Sequence, residues 1–116
     1  MQDLKDWKRR TLEQRKSFGS LLRQTHPECL FVVVECVRIP QTHDSFFLLI
    51  VPVSSSVSTL QRALRKNLPF RSSSSLFFFE KDRMLAGANL LDQLHEVQAS
   101  PDGFLYLRAS TVESLG

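Results

Sequence analysis

The sequence predicts an α+β domain: a mixed sheet with one helix packed across a face and two helices in front. Three observations lead there. Residues 30–37 (LFVVVECV) are apolar and largely β-branched, the composition of a central strand buried on both faces. Val57, Leu60, Leu64 and Leu68 recur at i, i+3, i+7 and i+11, the core stripe of an amphipathic helix. Residues 104–109 (FLYLRA) alternate and form a last strand that can lie beside the first.

In chain order, residues 3–10 predict a short helix with Leu4 and Trp7 at i, i+3 spacing. A second helix starts at Thr11, with Gln14 three residues on, the spacing of a capping box. Leu12, Phe18, Leu21 and Leu22 give it an apolar side, and Pro27 stops it, with His26 pushed toward an extended geometry. The first strand follows, then a polar turn at 39–44 containing Pro40. Residues 46–51 (FFLLIV) form a second strand ended by Pro52, and the short connection predicts a hairpin. A serine-rich stretch at 54–58 opens the striped helix, Arg62, Arg65 and Lys66 lie off its stripe, and Pro69 ends it. A polar loop at 71–75 leads to a third strand at 76–80, a charged turn and a short extended piece near 84–86. Leu90, Leu91 and Leu94 make a short helix before the turn Pro101-Asp102-Gly103. Short hairpins and a right-handed crossover assemble these elements into a ubiquitin-like β-grasp roll with two additional N-terminal helices.

A chain of 116 residues with 42% hydrophobic and 23% charged side chains suits one domain with its own core and argues against disorder. The net charge of +3 is uneven. Residues 1–26 carry seven basic and three acidic side chains, whereas residues 77–116 carry three and six. A solvated helix face accounts for the N-terminal excess; steering toward acidic partners or an anionic lipid surface is the sharper reading. The excess is small for nucleic acid. The charged opening, residues 1–10, does not read as a secretory leader. The longest apolar runs, 30–34 and 46–53, fall far short of the roughly 20 residues of a membrane span. With only Cys29 and Cys36, a cytoplasmic protein with reduced thiols is expected, and any membrane attachment must be added after synthesis.

Several segments then resemble one family. They are Arg10-Thr11-Leu12-Glu13-Gln14-Arg15, His26-Pro27, Leu49-Ile50-Val51-Pro52, and Asp102-Gly103-Phe104-Leu105-Tyr106 followed ten residues later by Gly116. Their order and spacing resemble the autophagy ubiquitin-like modifiers, the group of GABARAP and microtubule-associated protein light chain three, over nearly the whole chain. The resemblance divides the chain into an N-terminal helical extension packed on the core (1–26), a ubiquitin-like domain (27–110) and a flexible conjugation tail (111–116).

It also implies a function. In this family the carboxylate of a C-terminal glycine is adenylated, carried as a thioester by E1-like and E2-like enzymes, and joined to the amine of phosphatidylethanolamine. Glycine suits a narrow enzyme channel because it lacks a Cβ and tolerates unusual backbone angles. Gly116 is the expected lipid-conjugation residue. Two acyl chains, at about 0.8 kcal/mol per buried CH2, then hold the protein on a membrane far better than one. A cysteine protease trims or deconjugates such modifiers. The chain is thus expected to be a substrate of enzymes and not an enzyme, needing no cofactor or metal, cytoplasmic until lipidation brings it to an autophagosome or other vesicle.

Family members also bind receptors or adaptors bearing aromatic-x-x-aliphatic motifs, adding the peptide as a strand to the exposed second strand. By position, an aromatic pocket would use Leu22, Phe31, Leu48, Ile50 and Phe104. An aliphatic pocket would use Leu49, Val51, Pro52, Leu60, Ala63 and Leu64. Each is equally a plausible core residue. The family usually has a lysine where Leu48 stands, an arginine where Asn67 stands and often a basic residue at Cys29. Their loss implies a divergent member with a greasier groove and less preference for acidic flanks.

Other signals are weak. His26 and Cys29 at a helix–strand junction do not make a catalytic pair, and the two cysteines lack metal-ligand pairing. No glycine-rich phosphate loop occurs. The run LFFF at 76–79 lacks the glycines and basic start of an RNA-binding strand. The competing readings are an unconjugated ubiquitin-like adaptor and, more remotely, a basic RNA-binding domain.

Overall fold

The computed structural model describes residues 1–37, 39, 45–68, 75–94 and 100–112. The turn expected at 40–44, the loop at 71–74 and Gly116 lie outside these residues.

β2 (Cys29–Val37) and β3 (Phe46–Pro52) form the expected hairpin, with Phe31 opposite Ile50 and Val33 opposite Leu48. β6 (Leu105–Val112) lies parallel to β2 on its other side, from Val32 opposite Leu105 to Val37 opposite Ser110. β4 (Ser75–Glu80) pairs antiparallel with β6, and β5 (Arg83–Leu85) pairs antiparallel with β4. With β1 (Gln2–Asp3) on the outer side of β3, the sheet order is β1-β3-β2-β6-β4-β5. The last strand does lie beside the first long one, as its alternation predicts.

α2 (Val57–Asn67) packs across one face and buries Val57, Leu60 and Leu64 completely. These side chains join Val32, Val34, Leu49, Phe78 and Leu107 in the larger core. The helix start has no side-chain cap. Its free N–H groups are met by a loop instead: Val57 donates to Asn89 O at 3.0 Å and Ser58 to Gly87 O at 2.9 Å. Arg65 and Lys66 sit in the last turn, where cations favour the helix dipole.

α1 (Leu12–Thr25) covers the other face. Its capping box is present: Gln14 N donates to Thr11 Oγ1 at 3.1 Å, and Thr11 N donates to Gln14 Oε1 at 2.8 Å. Its inward line is buried Gly19 with half-buried Arg15, Phe18 and Leu22, so Leu12 and Leu21 face solvent, contrary to the apolar side expected of them. Gly19 is where the helix comes closest to its neighbours. A Cβ there would stand 3.3 Å from Asp102 O and from Phe104 Cε2.

The first predicted helix is corrected to a strand and one turn. Gln2–Asp3 is β1, Asp6 adopts a left-handed φ of 59°, and only Trp7–Arg9 turns, as 3-10 helix. The left-handed residue interrupts any helix through 3–10, and the unpaired groups of β3 offer the first residues a better set of hydrogen bonds. The short helix near 90 is likewise one 3-10 turn, Leu91–Gln93.

A second core fills the α1 side: Leu4, Trp7, Phe31, Val33, Leu48 and Phe104. Phe104 is completely buried and meets Trp7 edge-on at 5.1 Å and Phe18 stacked at 6.0 Å. Phe104→Ala is expected to lower unfolding free energy in urea by about 3–5 kcal/mol. Met84→Ala, at an exposed position of β5, should change it by no more than about 0.5 kcal/mol.

Candidate functional site

β3 separates the two candidate pockets, because successive side chains of a strand point to opposite faces. Phe47, Leu49 and Val51 turn toward α2, and Phe46, Leu48 and Ile50 toward α1. Leu48 and Ile50 of the aromatic set thus share one face of the strand and Leu49 and Val51 of the aliphatic set the other, whereas Pro52 falls in register with Ile50 and apart from the rest of its set.

On the α1 side, Phe31 (4% exposed), Leu48 (1%) and Phe104 (0%) pack against one another beneath Leu4 and Trp7. Leu22 is half-buried, and Ile50 is the exposed member of the set at 37%. On the α2 side, Leu49, Val51, Leu60 and Leu64 are all buried in the larger core. Ala63 is half-buried and Pro52 exposed. Seven of the eleven residues are thus core. The accessible rim is Ile50 and Pro52, bordered by Leu22 and Ala63.

Leu48, Asn67 and Cys29, the positions where the resemblance leads one to expect basic residues, have distinct settings. Leu48 is buried beside Leu4. Asn67 closes α2, donating from Nδ2 to Ala63 O at 2.7 Å. Cys29 is half-buried at the start of β2. A lysine at position 48 would bury its stem with the same apolar neighbours, so leucine there exchanges a charge for packing.

The segment Asp102-Gly103-Phe104-Leu105-Tyr106 is tied by one buried carboxylate. Asp102 accepts from Ser100 Oγ at 2.7 Å, from the Phe104 N–H at 3.0 Å and from the Tyr106 hydroxyl. Gly103 holds φ at +84°, a left-handed geometry that favours glycine, and a Cβ there would fall 2.5 Å from an Arg23 guanidinium nitrogen. The Arg15 guanidinium reaches the Tyr106 hydroxyl at 3.5 Å and Trp7 O at 2.7 Å. The loop, α1 and the N-terminal turn therefore meet at Tyr106. Sequence reasoning singled out this segment by resemblance and did not see the carboxylate at its centre. The i, i+2 and i, i+4 spacing of Asp102 to Phe104 and Tyr106 was the available signal.

The N-terminal cations are only partly a solvated face. Arg10 lies 5.1 Å from the Trp7 ring and 5.4 Å from Phe18, Arg15 lies 4.9 Å from Trp7, and Lys8 lies 5.4 Å from Phe46. Both cysteines are free. Burial, reinforced by the Glu35 charge, pushes the Cys36 thiol up to about 12. Among the described residues no cluster of three His, Cys, Asp or Glu could hold a metal, and no helix is long and apolar enough to cross a membrane.

Burial first, and the Asp102 carboxylate second, hold the Tyr106 phenol above its ordinary 10.0. A group whose pKa is raised on folding adds stability below its unfolded value and loses it as pH rises above that value. Stability is thus expected to be level near neutral pH and to fall above about pH 10, with the Cys36 thiol adding to the fall from its own ordinary 9.0 upward. Tyr106→Phe should remove the Tyr106 share of this alkaline slope in pH-dependent urea titrations; an unchanged slope would refute the assignment.

Comparison with known proteins agrees with this architecture. The family described as "Autophagy protein Atg8 ubiquitin like" matches residues 14–116. Autophagy-related protein 8a of Arabidopsis thaliana is 28% identical over 108 residues, covering 90% of this chain and 87% of the relative. Autophagy-related protein 8B of Oryza sativa is 27% identical over 109 residues, covering 91% and 90%. The crystal structure of Trypanosoma brucei ATG8 superposes with a TM-score of 0.74 at 24% identity, over 99% of this chain and all of that one, a likeness of fold. The roll, its N-terminal helical cover and a profile match over nearly the whole chain place the protein in the Atg8 family of ubiquitin-like autophagy proteins.

Proposed function

We propose that the protein is a conjugated modifier, joined through Gly116 to the amine of phosphatidylethanolamine and acting in autophagosome formation. The observation that carries this reading is the family match, which extends through the tail to residue 116. The chemistry follows from the tail. Adenylation of the Gly116 carboxylate releases pyrophosphate, and an enzyme thiol displaces AMP to give a thioester. The lipid amine then displaces the thiol to leave an amide. The chain supplies the carboxylate and ATP the adenylyl group; E1-like and E2-like enzymes supply the thiols, and a cysteine protease hydrolyses the tail amide with water, returning the carboxylate and the lipid amine. Residues 1–26 serve as the N-terminal cover and residues from 27 as the ubiquitin-like body, and the tail, expected from 111, begins after β6, because Thr111 and Val112 pair with Leu76 and Ser75.

Intact mass of protein recovered from starved cells should show a lipid adduct on the C-terminal peptide, and Gly116→Ala should abolish it and leave the protein off membranes. Absence of the adduct together with retained partner binding would establish the unconjugated adaptor instead.

The same body is proposed to recruit receptors bearing aromatic-x-x-aliphatic motifs along β3, with Leu22, Phe31, Leu48, Ile50 and Phe104 on the aromatic side. Leu49, Val51, Pro52, Leu60, Ala63 and Leu64 form the aliphatic side. The support is that Leu48 and Ile50 lie on one face of β3 and Leu49 and Val51 on the other, with Ile50 and Pro52 accessible. Leucine at 48 and asparagine at 67 remove charges that would grip acidic flanks. Calorimetric titration with such a peptide, with and without acidic flanks, should give affinities within about threefold of each other, the scale of an exposed ion pair. A flank effect above tenfold would sink the greasy-groove reading.

A further inference from the structure

An incoming peptide strand needs the unpaired backbone groups of β3, and the structure already uses some of them. Cys36 N donates to Ser45 O at 2.9 Å and Val53 N donates to Glu28 O at 3.1 Å, so Ser45 and Val53 direct their backbone groups toward β2. Backbone groups alternate in direction along an antiparallel strand. Phe46, Leu48 and Ile50 therefore direct theirs outward, to the sheet edge. Leu4 N donates to Phe46 O at 2.8 Å, and Gln2 stands opposite Leu48. Pro52, the fourth residue of this parity, has no N–H, and its carbonyl accepts from Ser55 N at 2.9 Å; with Phe46 and Leu48 covered by the chain's own N-terminus, Ile50 remains among the described residues of β3.

The cover is anchored and yet light. Leu4 and Trp7 are 2% and 1% exposed and sit in one cluster with Leu48, Phe31 and Phe104. Gln2 and Asp3 themselves are exposed. β1 is two residues long and, among the described residues, has no strand on its far side. A short, exposed edge segment of this kind opens more readily than the core strands.

We propose that β1 is a built-in competitor for the β3 edge, a strap that must lift from Leu48 before a peptide strand can pair there as well as at Ile50. The inference rests on the reading of β3 as a peptide-docking edge and adds its regulation. An apparent affinity is reduced by the fraction of molecules in the open state. Any event that detaches Gln2 and Asp3 therefore raises affinity without touching a pocket residue. Leu4 stays in place with its bond to Phe46, so the docked strand pairs at Leu48 and Ile50.

The test is calorimetric titration of an aromatic-x-x-aliphatic peptide into three proteins: the full chain, a variant lacking residues 1–3, and Gln2→Pro. Proline at position 2 has no N–H to give the β3 edge and leaves the chain length unchanged. Both variants keep Leu4 and Trp7, and thermal unfolding checks that each is folded. The expected result is a gain in affinity of about threefold to tenfold for both variants, the scale of one or two net backbone hydrogen bonds. Amide exchange at Leu48 should accelerate in both before peptide is added and slow again on binding. Equal affinities for the three proteins overturn the strap and leave the docking edge standing. Binding by none of them overturns the docking edge and the strap with it.

Discussion

The parallel pairing of β2 with β6 is the constraint on which the rest of the fold depends. It puts two mostly apolar strands side by side in the middle of the sheet. Val32, Val34 and Cys36 of β2 and Leu105, Leu107 and Ala109 of β6 are buried on one face; Val33 is buried on the other. A parallel pair needs a long crossover, here everything from β3 to the turn at Asp102. α2 is the part of that crossover that packs back on the sheet, and its stripe matches the face it meets.

A sheet apolar on both faces requires two covers. α2 provides one. The second comes from outside the roll, from α1 and the segment around Leu4 and Trp7. The N-terminal region is thus required by the composition of β2 and by Phe104, whose ring lies among Trp7, Phe18 and Phe31. The buried Asp102 carboxylate holds the turn that aims Phe104 at this cluster, and Arg15 links the same turn to α1. Core and candidate groove share residues for this reason: the side chains that would line the pockets also hold the covers on.

Elements with strong periodicity were legible in the sequence. The α2 stripe, the β-branched run of β2 and the capping box of α1 each follow from local rules, and the structure has them where those rules put them. The first residues were not legible, because nothing local in MQD makes a strand. β1 exists only because β3 has an open edge, and Asp6 turns left-handed to bring Trp7 into the core. Leu12 and Leu21 misled for a related reason, since which side of α1 is buried is decided by the close approach at Gly19 and not by counting apolar residues. For the groove, the resemblance supplied the membership of each pocket. It could not supply that Leu48, Phe31 and Phe104 lie beneath Leu4 and Trp7, a tertiary fact with no mark in the spacing.

The central position of β6 also has a mechanical meaning. A strand hydrogen-bonded on both sides, to β2 in parallel and to β4 in antiparallel, must slide past both neighbours along its length when it is drawn out by its C-terminal end. Its bonds are then loaded together, in shear. An edge strand such as β1 is peeled away one bond at a time. A tether at the C-terminus thus pulls on the strongest line through the molecule, and a pull at the N-terminus meets the weakest.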